Sequence, residues 1–416
     1  MGKETRKILV IVFILTGTFS WPGISLGADK LLQQSDLTYL GAFRVPNDNG
    51  QFSYGGRPIV YNPAHNSLFI GNSNDELVGK EGIAEISIPA IVNSSNLTGL
   101  NTASMLQAFV NAFGGNLNSI EPGNGATFAG ALLNGSKLIV SAYAYYDGAS
   151  IANKSHATIN ANWTGSGVGY SGLVTIGVPP APNVGFTGGY MTPVPASWQT
   201  ALGGSALTGM SNIAIVTRTS FGPALFSFDP GQVGLVNPVP ATALLYYDKN
   251  DDIGSHWTLG PYSGANAVIG GSDMINGVVF PDGSKSVLFI GRHGDTYCYG
   301  TGAECNDPIV EDKGTHGYPY HYQIWAYNAD DLAAVKTGTK KPWEVVPYSY
   351  WKVNFPIEGW KNEVNGATYD AINHRLFISM DHGDGTAPLI QIFSVNVGDS
   401  APDRTAPAGP TRLRVQ

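Results

Sequence analysis

An all-β fold, built as a β-propeller, is predicted by three features of this chain: a recurring phrase of paired strands, a composition rich in turn formers, and a scarcity of helical periodicity. Gly 53 and Pro 26, with aromatics at 11% and charged residues at 13%, describe many short strands joined by tight turns. Helical turns are expected only near 197–202 and 330–336. Such a closed all-β architecture can absorb the whole of 28–398 as one domain.

The phrase has two parts. The first is a turn followed by a short apolar strand, as in YNPAHNSLFIGNS from Tyr61, LLNGSKLIVSAY from Leu132, FPDGSKSVLFIGRHG from Phe280 and YDAINHRLFISMD from Tyr369. The second is an alternating strand: IAEISIPA from Ile83, SGLVTIGVP from Ser171, YQIWAYNADDL from Tyr322 and IQIFSVNV from Ile390. A compressed fifth copy is IAIVTRTSFGPALFSFDP from Ile213. Asn, Asp and Gly between apolar runs mark antiparallel strands joined by tight connections.

Small-residue lead-ins such as GGRPIVY, GATFAGALL and NGATYD suit the innermost strand of a blade, where the sheets converge. Radial repetition of four-stranded sheets protects strand edges, which is the propeller solution. Five blades are readable, and the spaces at 91–121 and 233–266 leave room for two more, so seven are expected. A two-sheet sandwich is the structural alternative.

Both ends of the chain differ from the middle. Lys3, Arg6 and Lys7 precede the apolar run from Ile8 to Leu15 and a small-residue exit at Ser25 to Ala28, which reads as a signal peptide over 1–27. No later stretch approaches the roughly 20 apolar residues of a membrane helix, so a secreted protein, extracellular or periplasmic, with no membrane partner is expected. Residues 399–416 combine a Pro-rich linker with an apolar alternation resembling the first strand of a fibronectin type III module. A formal net charge of -8 argues against nucleic acid, and a monomer is expected.

Reactive side chains concentrate between Gly291 and Trp325, which holds both cysteines and three of the eight histidines. His293, Cys298, Cys305 and His316 make up the two-imidazole, two-thiolate set that tetrahedral zinc prefers. The alternative is a Cys298–Cys305 disulfide, ordinary for two nearby cysteines in an exported protein. Elsewhere, Tyr145, Tyr146 and His156 flank a Gly/Ser/Asn stretch able to bring them to one end of a propeller. Arg218 interrupts an apolar strand and needs a partner or a wet channel, since an unpaired buried guanidinium is costly. Arg292, beside His293, has the same ambiguity. DKNDDIG from Asp248 spaces oxygen ligands as calcium loops do, but lacks the bidentate Glu. No nucleophile elbow, phosphate-binding glycine loop or metalloprotease helix is present.

Through GRHGDTYCYG, KGTHGYPYHYQIWAYNADDL, YGGRPIVYNPAHNSLFIGNS and RTSFGPALFSFDP, the chain resembles a broad group of secreted bacterial β-propeller proteins. In layout it is similar to the seven-bladed polysaccharide lyases that degrade ulvan. That resemblance implies zinc at the His/Cys loop and β-elimination of a uronate-containing polysaccharide. It implies Arg218 as neutraliser of the uronate carboxylate, with His156 and Tyr146 as the base and acid pair. Those residue types fit the chemistry: the C5 proton is removable only once the adjacent carboxylate is neutralised. A non-catalytic glycan-binding or scaffold propeller is the competing expectation, since this fold hosts both.

Overall fold

The structure, a computed structural model, describes residues 29–72, 80–120, 125–144, 147, 151–177, 184–211, 220–247, 259, 264–300, 307–309 and 314–398. Strand β1 (Leu37–Arg44) opens the chain. The first blade is β2 (Ile59–Asn62), β3 (Ser67–Gly71), β4 (Gly82–Ser87) and β5 (Met105–Asn111), and the second is β6 (Ala126–Asn134), β7 (Lys137–Ala144) and β8 (His156–Asn160). The third is β9 (Met191–Pro193), β10 (Ala206–Thr208), β11 (Leu225–Phe228) and β12 (Ala241–Leu245). The fourth is β13 (Met274–Val279) and β14 (Ser286–Gly294), then, after the small ribbon β15 (Cys298–Gly300) and β16 (Gly314–His316), β17 (Tyr320–Asn328) and β18 (Ser349–Val353). The fifth joins β19 (Val364–Asp370), β20 (Arg375–Asp384) and β21 (Ala387–Val395) to β1.

Five blades therefore surround the axis, in place of the seven that the spaces in the sequence suggested. The space at 91–121 supplies β5, the outer strand of the first blade, and that at 233–266 supplies β12, the outer strand of the third. The innermost strands β2, β6, β9, β13 and β19 each touch the next, and β19 returns to β2, closing the ring. This closed ring excludes the sandwich. β1 completes the last blade by pairing along β21 from Leu37↔Val395 to Arg44↔Leu389, so the two ends of the propeller are tied by one ladder.

Small residues sit where the inner strands crowd. A Cβ at Gly130 of β6 would run into the Gly189 carbonyl, and one at Gly277 of β13 would come within 2.7 Å of the Ala367 Cβ. Tight turns follow the expected chemistry. Gly135, at φ +60, turns β6 into β7, and the Asp370 carboxylate accepts the Ile372 and Asn373 amides between β19 and β20.

The five main apolar clusters lie between successive blades. One example joins Leu207 and Leu225 of the third blade to Phe289 and Trp325 of the fourth. Because each blade is packed on both faces, middle strands such as β14 are buried along their whole length. Each buried Phe or Leu contributes about 1.5–3 kcal/mol.

In the second blade the third strand is β8, whereas the phrase from Ser171 forms an irregular edge, bridged through His156↔Val174 and Ile176↔Val239. The expected helical turns are a 3-10 turn at Ala196–Trp198 with a helix at Gln199–Leu202, and a helix at Ala329–Lys336. No helix among the described residues is long and apolar enough to cross a membrane. The signal-peptide segment, the linker from 399 and the calcium-like loop at 248–254 lie outside the described residues.

Candidate functional site

Antiparallel pairing collects the reactive side chains at one end of the propeller. In the fourth blade the end of β14 lies opposite the starts of β13 and β17, through Met274↔Arg292 and Gly294↔Tyr320. In the fifth, β19 starts opposite Met380 of β20. In the second, β8 starts at His156, opposite Ser141 of β7. Blades related by rotation about one axis present these strand ends on a common rim.

On that rim His293 is 1% exposed. Its Nδ1 lies 2.8 Å from Asp273 Oδ2, and Asp273 also accepts the Gly270 and Gly294 amides at 3.0 Å each. A carboxylate so supplied with donors takes the Nδ1 proton as a hydrogen bond and leaves a lone pair on Nε2, which is buried with no hydrogen-bond partner. Opposite, on β17, stands His321, with its ring centre 5.0 Å from that of His293. Gln323 donates to the Val268 carbonyl at 3.1 Å, so its Oε1 faces His321 Nε2 at 3.1 Å and accepts that N–H. His321 Nδ1 then points its lone pair toward Asp295 Oδ1, 3.2 Å away. Burial pushes the His321 imidazole below the ordinary histidine range, with nearby His293 and Lys352 adding to the shift. Ligand atoms of His293, Asp295 and His321 all lie within 4.8 Å of one another.

Arg292 is buried and bonded. Its Nη1 meets Glu363 Oε1 at 2.6 Å, its guanidinium lies 4.4 Å from the centre of the Tyr320 ring, and Tyr320 donates to Asp307 at 2.6 Å. The arginine thus links the fourth blade to the start of the fifth. Its ambiguity resolves toward a structural pair.

Beside it, the rim of the fifth blade carries a second group. His382 Nδ1 is 2.6 Å from Asp381 Oδ2, while Asp381 Oδ1 accepts from Asn365 Nδ2 at 3.1 Å. The imidazole stands between the rings of Tyr54 and Trp360, each 5.3 Å away and each meeting it edge-on. Those two rings are 55% and 54% exposed, so their outer surfaces face solvent. Lys361 Nζ sits 4.0 Å over the Trp360 ring. Tyr54, Lys361, Asn362 and His382 all have positive φ, between 54 and 60 for the first three and 51 for His382. Each such residue costs of order 1–3 kcal/mol, and their concentration at one rim marks a place held in shape by its surroundings.

Of the catalytic candidates named from the sequence, His156 alone lies among the described residues. His156 is fully buried, with Nδ1 2.7 Å from Ser155 Oγ and Nε2 3.0 Å from Thr208 Oγ1. Thr208 gives its own proton to the Thr187 carbonyl, so both ring nitrogens have partners and β8 is tied to β10. Burial pushes the His156 pKa down to about 3. Tyr146 and Arg218, the partners expected for it, lie outside the described residues.

Of the four zinc ligands expected, Cys298 and His316 face each other across β15 and β16, and Cys305 lies outside the described residues. Cys298 carries no free thiol. Among the described residues His293 groups with Asp295 and His321. Asp295 and His321 both stand in the same His/Cys loop as the cysteines. The group around His382 left one trace in sequence, the turn DHGDG after Met380, and positive φ is not written in residue type.

No family model and no curated protein matches the chain. Among solved structures it is similar to a GH43 endo-arabinanase from Bacillus licheniformis, at 11% identity and TM-score 0.39, covering 84% of this chain and 95% of that one. It is also similar to a luciferin-regenerating enzyme, at 8% identity and TM-score 0.36, covering 88% and 95%. A third is the β-propeller domain of Cps50 from Myceliophteria thermophila, at 8% identity and TM-score 0.29, covering 82% and 71%. Likenesses this distant say nothing of activity.

Proposed function

We propose that the chain is an exported carbohydrate-active propeller that engages a uronate-containing polysaccharide at the fifth-blade rim and cleaves it by β-elimination. The observation that carries this reading is the His382–Asp381 pair set between the exposed rings of Trp360 and Tyr54. Aromatic faces stack on the apolar faces of sugar rings, and a histidine whose Nδ1 proton is held by a carboxylate has Nε2 available as a base. In this reading His382 Nε2 takes the C5 proton, the electron pair forms the C4–C5 double bond, the C4–oxygen bond breaks, and the departing oxygen takes a proton from water at the exposed rim. Lys361, over Trp360, supplies positive charge for the substrate carboxylate. His156 holds β8 against β10.

Purified protein incubated with ulvan and other uronate polymers should generate unsaturated ends that absorb in the ultraviolet. His382→Ala should abolish that signal, and Trp360→Ala should weaken retention in affinity electrophoresis by about 2- to 10-fold. Retention without any unsaturated product would reduce the reading to a glycan-binding propeller. Neither signal across the panel, or near-normal turnover by His382→Ala, would overturn it.

A further inference from the structure

We propose that His293, His321 and Asp295 bind a divalent first-row transition metal of the zinc class, in a site distinct from the cysteine-containing loop. The inference goes beyond the carbohydrate reading and stands or falls without it.

Three observations converge. First, the donor set is two imidazoles and one carboxylate, with ligand atoms within 4.8 Å of one another, so that small side-chain adjustments bring them onto one ion. Zinc sites with three protein ligands of this kind keep a further position open for water.

Second, the tautomers are already set. Metal-ligating histidines characteristically donate their other ring N–H to a carboxylate or carbonyl oxygen, which fixes the ring and raises ligand basicity. Asp273 does this for His293 at 2.8 Å and Gln323 for His321 at 3.1 Å, so His293 Nε2 and His321 Nδ1 are the atoms left to bind. Asp273 is anchored in turn by the Gly270 and Gly294 amides, and Gln323 by the Val268 carbonyl.

Third, His293 Nε2 is buried and has no hydrogen-bond partner. Leaving such an atom unsatisfied is costly, and a metal bond would offset that cost. Without an ion, the Asp295 carboxylate pairs with Lys352 at 3.4 Å and lies 3.2 Å from His321 Nδ1, and among the described residues no hydrogen-bond partner reaches His293 Nε2. A simple ion pair therefore accounts for Asp295 but not for the buried lone pair.

The test uses cobalt(II) as the probe, because its visible spectrum reports its ligands. Protein stripped with a chelator and titrated with cobalt(II) should take up one equivalent at this site, with a spectrum of nitrogen and oxygen ligation, and zinc should displace it. His321→Ala should lower cobalt affinity at least 10-fold. Asp295→Asn, a change at a partly exposed side chain that leaves the fold intact, should do the same and should also abolish the rise in Tm produced by zinc. Asp273→Asn, which acts by positioning His293, should lower affinity about 10- to 100-fold. A double Cys298→Ser, Cys305→Ser variant should keep the spectrum. The proposal is overturned if folded Asp295→Asn and His321→Ala bind cobalt as tightly as the parent. It is equally overturned if the sole bound cobalt shows a thiolate charge-transfer band that disappears in the cysteine variant, or if no cobalt binds.

Discussion

At position 156 an imidazole with no solvent contact is held between two hydroxyls, and its chemistry follows from that enclosure. Burial disfavours the charged ring, so the folded pKa of about 3 lies well below the ordinary 6.5. The unfolded chain binds this proton more readily than the folded one, so the stability linked to His156 is fully present above the unfolded value. It is lost as pH falls from 6.5 toward 3. Between about pH 7 and about pH 5 this amounts to about 2 kcal/mol. Denaturant unfolding of the parent and of His156→Gln at those two pH values should show the variant losing less stability, by about that amount. Parallel losses in the two proteins would contradict the assignment.

Residue type alone could not separate this histidine from His382. Both follow or precede small polar residues in the sequence, and only the third strand of the second blade buries one of them. His293 was legible as a candidate ligand because it stands with the cysteines. Its actual neighbours come from two sources: Asp295 after the strand end, and His321 across the β14–β17 register.

Among the elements, the blade phrases were legible because the requirements on inner and middle strands are severe. Inner strands need small residues where neighbours converge, as at Gly130 and Gly277, and middle strands buried on both faces need unbroken apolar runs, as in β14. Outer strands face fewer constraints and leave a weaker signature: β5 and β12 occupy the spaces whose length predicts two further blades. The ribbon of β15 and β16 was legible only as a stapled loop, with two kinds of staple open. The chain has two cysteines and Cys298 is not free, so denatured, unreduced protein should show no thiol reactive toward a disulfide reagent. Two reactive thiols would instead support cysteine-bound zinc in that ribbon.

For the molecule as a whole, closure of the five blades by β1 is what turns distant stretches of sequence into one rim. Tyr54 follows β1, Trp360 precedes β19 and His382 lies in β20, yet both aromatic rings meet the His382 imidazole. The Arg292–Glu363 pair connects this rim to the histidine group of the fourth blade. The repeat reveals the ring, whereas the proposed substrate rim arises from strand ends that the repeat does not encode. The most direct measurement is hydrogen exchange with and without a uronate polysaccharide. Binding at the proposed rim should slow exchange in peptides covering 52–56, 358–365 and 380–386 and leave the outer strands β5 and β12 unchanged. Protection confined to those outer strands, with none at the rim, would contradict the account.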